Sequence, residues 1–176
     1  MKKVKVATVW LDGCSGCHMS LLDMDAAIIS LAQKIDLVYG PLVDAQEFPE
    51  NVDVTLVEGA VSSQDDLNKL LQIRQRTHLL VALGDCAVTG NVPALRNSIP
   101  VNKLLLRIYV EGAQEGKVIP TDGVPPLLKH ARPLREFVPV DLSLPGCPPP
   151  AKTIAAVISD LVDGKKREPA LAVMFG

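Results

Sequence analysis

Short apolar runs that each stop at a glycine-containing turn set the frame of this chain. Val4–Trp10 precedes Leu11-Asp12-Gly13, Val52–Val57 precedes Glu58-Gly59, Leu79–Leu83 precedes Gly84-Asp85, and Val138–Leu144 precedes Pro145-Gly146. A further run, Ile35–Tyr39, ends at Gly40-Pro41. Runs this short and this aliphatic read as buried strands. The segments between them carry helical spacing. After Cys17, residues Leu21, Leu22, Ile28, Ile29 and Ala32 fall on one side of a helix, with Asp23, Ser30 and Lys34 on the other. Ser62 and Ser63 ahead of Asp65 and Asp66 form a helix-start signature, followed by a stripe of Leu67, Leu70 and Leu71. Ile154, Val157, Ile158, Leu161 and Val162 mark a closing helix that Gly164 ends. Strands alternating with helices predict an α/β, doubly wound parallel sheet. At 176 residues the expectation is one domain over 1–176.

The cysteines add chemistry to that frame. There are four, and Cys14, Cys17, Cys86 and Cys147 each follow a predicted strand directly. In a doubly wound sheet, ligands bind at the carboxyl ends of the strands. All four thiols are therefore expected on one edge, where they can converge. The Cys14-Ser15-Gly16-Cys17 loop alone admits a thioredoxin-like redox pair, a zinc knuckle or half of an iron-sulfur site. Disulfide exchange leaves Cys86 and Cys147 without a role. Zinc sites more often use a second C-x-x-C or add histidine, so the spacing favours one iron-sulfur cluster.

Composition removes several other classes. Net charge is −2 with both signs interspersed, so no basic field suggests nucleic acid. Aromatic residues make up 3%, too few for a base-stacking surface. Lys5 interrupts the first apolar run and Asp12 ends it, so no signal peptide is read there. No twin-arginine pair stands near the start, and no apolar stretch is long enough to span a bilayer. A cytoplasmic chain with reduced cysteines is the expectation. A P-loop, G-x-G-x-x-G after a strand and G-x-S-x-G are all missing, so the sequence offers no site for substrate chemistry. A lone cluster moves electrons, and its donor and acceptor then lie on other subunits.

Two further residues stand close to the same edge. Glu58 tops the third strand, placed to cap a neighbouring helix or to contact a partner. His18 follows Cys17, placed to hydrogen-bond a cluster sulfur or a partner, or simply to sit half-buried in the first helical turn. His78 and His130 are expected on the surface. Residues 109–136, rich in glycine, proline and charge, predict a long irregular insertion. That insertion and the tail at 165–176, apolar over Ala170–Phe175, are expected to dock partner subunits.

Taken together, Trp10-Leu11-Asp12-Gly13-Cys14-Ser15-Gly16-Cys17-His18-Met19-Ser20, Val57-Glu58-Gly59-Ala60-Val61, Gly84-Asp85-Cys86-Ala87-Val88-Thr89-Gly90-Asn91-Val92-Pro93 and Leu144-Pro145-Gly146-Cys147-Pro148-Pro149 resemble the small subunit of [NiFe] hydrogenases, most closely the cytoplasmic NAD-reducing type. The resemblance implies a flavodoxin-like domain. In it, Cys14, Cys17, Cys86 and Cys147 match the ligands of one [4Fe-4S] cluster. It further implies a large subunit carrying the Ni-Fe site, and diaphorase subunits with FMN and iron-sulfur clusters that reduce NAD+. The cluster subunit of respiratory complex I shares Pro145-Gly146-Cys147-Pro148 but has adjacent cysteines in its first motif. Small subunits of coenzyme F420- or ferredoxin-linked hydrogenases and a zinc-stabilised interaction module remain as alternatives. The fold also invites FMN on this chain, yet cysteines occupy the first strand-helix turn where a phosphate-cradling loop would lie.

Overall fold

A computed structural model describes residues 3–165 of the chain. Its strands are β1 (Val4–Trp10), β2 (Ile35–Tyr39), β3 (Val52–Glu58), β4 (Val61–Ser63), β5 (Thr77–Leu83), β6 (Leu127–Arg132) and β7 (Leu142–Leu144). Its α-helices are α1 (Gly16–Leu22), α2 (Ala26–Ala32), α3 (Gln64–Arg76), α4 (Gly84–Thr89), α5 (Asn91–Ala94), α6 (Val101–Leu106) and α7 (Ala151–Val162). Five strands form a parallel sheet ordered β2-β1-β3-β5-β7. Counted along the chain within that sheet, this is the flavodoxin-like order 2-1-3-4-5. The chain reverses its direction of travel across the sheet between β1 and β3, which puts the switch point at the end of Trp10 and Glu58.

The period-two pleat sorts the strand residues onto two faces. Ala7, Val9, Val57, Leu80 and Ala82 pack with Leu70 and Ile73 of α3. Val6, Val54, Leu56, Val81 and Leu83 pack with Leu31 and with Ile154, Val157 and Ile158 of α7. Each fully buried aliphatic side chain is worth about 1.5–3 kcal/mol, so the two layers fix the strand order firmly. Polar residues inside these strands are satisfied. The Thr55 and Thr77 hydroxyls share a hydrogen bond of 2.8 Å, and Asp53 Oδ2 accepts from Lys5 N at 2.8 Å. Ser63 caps α3 as the sequence implies, accepting from Asp66 N at 3.1 Å while Asp66 Oδ2 accepts from Ser63 N at 2.9 Å.

Three expectations change. The single helix after Cys17 is two helices, broken at Asp23–Asp25, where Asp25 takes φ 48°. The break rotates the second half, so Leu31 is buried while Ile29 is exposed. The strand expected over Val138–Leu144 pairs only from Leu142. Pro139 has no N–H to give the ladder, and the Asp141 carboxylate accepts from Leu80 N at 2.7 Å in place of a backbone carbonyl. The 109–136 segment is not irregular throughout: its last part enters β6, antiparallel to β4 in a separate two-stranded sheet. Asn97 brackets Ala131, accepting from its N–H at 2.8 Å and donating to its carbonyl at 2.7 Å, and Arg96 donates to the carbonyls of Ser62 and Leu128, both at 3.0 Å. The apolar segment Ala170–Phe175 of the tail at 165–176, expected to dock a partner, lies outside the described residues.

Candidate metal centre

Three loops at the carboxyl edge of the sheet, those after β1, β5 and β7, carry the cysteines. Cys14 sits in the turn after β1 and Cys17 in the first turn of α1. Cys86 lies in the first turn of α4 after β5, and Cys147 in the proline-rich loop after β7. All four thiols line one small cavity of about 60 Å³ together with Glu58, Gly59, Asp85 and Gly146. That is well below the roughly 300 Å³ at which organic-ligand pockets begin, so the space suits a compact inorganic group. Among the described residues no group of three or more His, Cys, Asp or Glu side chains is arranged to hold a single metal ion. Cys14 and Cys147 are exposed, while Cys17 and Cys86 are half-buried.

Hydrogen bonds between the loops hold this arrangement. The turns after β1 and β3 are stitched by Asp12 N to Ala60 O at 3.1 Å and Ala60 N to Asp12 O at 2.7 Å. Gly59 makes this approach possible, since at φ 89° a Cβ would stand 2.7 Å from the Leu11 carbonyl carbon. Glu58, 2% exposed, turns its carboxylate onto the start of α1, accepting from His18 N at 2.8 Å. Asp85 binds Gly146 twice: its N–H donates to the Gly146 carbonyl at 2.9 Å, and its Oδ1 accepts from Gly146 N at 2.7 Å. Ser20 Oγ donates to Pro149 O at 2.5 Å, closing the ring from α1 to the Cys147 loop. At Gly84 the backbone passes so close to Cys17 that a Cβ would stand 2.2 Å from its sulfur.

The electrostatics suit a cationic occupant. Burial pushes the Cys17 thiol far above its ordinary range, the Glu58 carboxylate adds to this, and the other three thiols add again. Burial also raises Cys86, partly offset by a hydrogen bond from the Val92 backbone N–H. Four thiolates cannot coexist here unless a positive core offsets their repulsion and the lost hydration. The donor set, all sulfur, selects thiophilic metals such as iron in iron-sulfur clusters or zinc.

His18 is more buried than the half-buried alternative, at 8% exposure, and packs edge-on against Trp10 with centroids 5.9 Å apart. Its Nδ1 lies 3.0 Å from Glu58 Oε2. That contact is not a hydrogen bond, and neither ring nitrogen has a hydrogen-bond partner among the described residues. His78 is exposed and His130 half-buried, both away from the cavity. Sequence reasoning missed Asp85, Ser20 and Asn91. Asp85 carried one available signal, an acid wedged between the strand-ending Gly84 and Cys86. The pairing of Ser20 with Pro149 spans 129 residues and leaves no local trace.

Residues 14–161 match the family described as NADH ubiquinone oxidoreductase, 20 Kd subunit. The chain belongs to that family, and within it to the hydrogenase subunits, as its relatives specify. It is 39% identical over 93% of its length to a subunit of the F420-non-reducing hydrogenase vhu of Methanocaldococcus jannaschii, and 38% identical over 93% to the delta subunit of the NAD-reducing hydrogenase HoxS of Cupriavidus necator. It spans 57% of the first relative and 80% of the second. A chain in the crystal structure of an NAD+-reducing [NiFe]-hydrogenase in the H2-reduced state superposes with a TM-score of 0.92 at 36% identity, covering 99% of this chain and 100% of that one. The [NiFeSe] hydrogenase of Desulfovibrio vulgaris Hildenborough shares the fold, with a TM-score of 0.63 at 19% identity over 93% of this chain and 60% of that one. Among the described residues no helix is long and apolar enough to cross a membrane.

Proposed function

We propose that this chain is the electron-transfer small subunit of a cytoplasmic NAD-reducing [NiFe] hydrogenase, and that Cys14, Cys17, Cys86 and Cys147 hold a single [4Fe-4S] cluster. The observation that carries the reading is the convergence of four thiols from three strand-end loops onto one compact cavity. When bound, such a cluster supplies reversible one-electron storage. This chain's residues do the rest. The four sulfurs hold the group, and Glu58, Asp85 and Ser20 lock the loops that carry them. Cys14 and Cys147 face outward at the edge, so the group sits where a partner can approach it. In that role the group would relay electrons between a large subunit carrying a Ni-Fe site and a diaphorase carrying FMN and iron-sulfur clusters.

The NAD-linked assignment is supported by the full mutual coverage with a chain of the NAD+-reducing enzyme and by the shorter excess length of the Cupriavidus necator relative. A second reading, a subunit of an F420-non-reducing hydrogenase with another acceptor, is favoured by the 39% identity to the Methanocaldococcus jannaschii protein. One experiment addresses both. Anaerobically purified complex is assayed for iron and acid-labile sulfide, for H2-driven reduction of NAD+, and for NADH oxidation by an artificial acceptor. In the Cys86→Ser variant, H2-driven NAD+ reduction is lost while NADH oxidation survives. Retained H2-driven activity in an assembled, cluster-free variant refutes the relay. Iron without any NAD-linked activity in the unaltered complex supports the second reading, and zinc in place of iron and sulfide overturns both.

A further inference from the structure

The turn that joins α4 to α5 carries chemistry that the ligand assignment leaves unused. Gly90 takes φ 90° and Asn91 takes φ 28°, so the chain bends sharply just after the Cys86 turn. The bend brings a donor to a sulfur. Asn91 Nδ2 donates to Cys147 Sγ at 3.5 Å across 56 residues of sequence. Among the described residues, Asn91 is the sole side chain that donates to a cysteine sulfur. Its amide makes no helix cap at the start of α5. A thiolate only accepts, so the amide must present its NH2 group to the sulfur.

We propose that Asn91 is a positioning residue for the metal centre, whose side-chain amide donates to the Cys147 sulfur and raises the reduction potential of the cluster held there. The inference rests on the [4Fe-4S] reading given above. Adding an electron increases the negative charge on the ligand sulfurs, and a hydrogen bond to sulfur becomes stronger as that charge grows. The reduced form therefore gains more than the oxidised form. Asparagine also suits the backbone, because among residues with a side chain it is one of those that best tolerate positive φ. The same turn is held in place from behind: Asn97, six residues on, grips Ala131.

The test uses the full chain with its cluster reconstituted anaerobically from iron and sulfide, compared with Asn91→Gly and Asn91→Asp. Glycine keeps the backbone and removes the donor. Aspartate keeps the shape and replaces the donor with an acceptor. Iron and sulfide content is measured first, then the midpoint potential by an electron-paramagnetic-resonance titration. With the cluster retained, the reduced-to-oxidised ratio at a fixed potential falls in Asn91→Gly by at most about fivefold, the full worth of one hydrogen bond of ordinary net strength, because only the part gained on reduction counts. It falls further in Asn91→Asp. Unchanged midpoints in both loaded variants overturn the proposal. Loss of the cluster from both variants, with the unaltered chain loaded, also overturns it and makes Asn91 a residue that holds the site together. An unaltered chain that takes up no cluster defeats the [4Fe-4S] reading itself, and the Asn91 proposal falls with it.

Discussion

Replacing Gly84 by alanine separates a pocket built around a sulfur from a turn that merely needs glycine. Gly84 takes φ 83°, and a Cβ there would stand 2.2 Å from Cys17 Sγ. A side chain in the left-handed region costs about 1–2 kcal/mol. The sulfur must also retreat by about 0.8 Å to reach even the 3.0 Å below which Cβ contacts are essentially never found. Overpacking of that kind costs about 1–3 kcal/mol, which brings the total to about 2–5 kcal/mol. The retreat is also several times the roughly 0.2 Å within which metal-ligand distances normally fall. Gly116→Ala is the control, because Gly116 takes φ 60° and an added methyl group would meet nothing within 4 Å. Its cost is confined to about 1–2 kcal/mol of backbone strain, less the entropy lost from the unfolded chain. Urea unfolding of the metal-free proteins gives the stability difference, and iron and sulfide content gives occupancy. Gly84→Ala is expected to lose both stability and iron, Gly116→Ala little of either. If Gly84→Ala proves no less stable than the control and takes up iron fully, Cys17 does not occupy the position from which the pocket has been argued.

Asp85→Ala removes a charged acceptor from Gly146 N, and the urea midpoint should fall by the equivalent of about 1.5–3 kcal/mol; Asp85→Asn, which keeps an oxygen, should lose less. Ser63→Ala removes the cap of α3 and should cost about 1 kcal/mol without changing iron content. The raised Cys17 and Cys86 thiols give a pH dependence to the metal-free chain. Below the ordinary thiol value of 9.0 both the folded and unfolded forms hold these protons, whereas above it the unfolded chain releases protons that the folded chain keeps, so stability falls as pH rises. Denaturation followed from about pH 8 to about pH 10.5, which brackets the ordinary thiol range, should show this slope, made shallower by Cys17→Ser, and an equal slope in that variant would assign it to other groups.

The alternation of strands and helices, the bounds of β1 and β2 and the cap of α3 were legible in the chain alone, because each depends on residues close together along it. So was the place of every cysteine immediately after a strand, and in a parallel sheet that puts them on one edge whatever the strand order. Long-range packing settles the rest. The order of the strands follows from which faces bury Leu70 and Ile73 on one side and Ile154 and Val157 on the other, a choice with no local signature. The shortening of β7 and the recruitment of residues 127–132 into β6 each depend on a partner far away in the chain. For β7 that partner is Leu80 N, and for β6 it is the Asn97 and Arg96 side chains. The same holds at the candidate metal centre. Four sulfurs can be read directly from the sequence, but the hydrogen bonds that tie their loops together or reach them, from Asp85 to Gly146, Ser20 to Pro149 and Asn91 to Cys147, join positions 56 to 129 residues apart. Such bonds form only after the sheet has brought its strand ends together, so no pattern within one stretch of the chain can announce them.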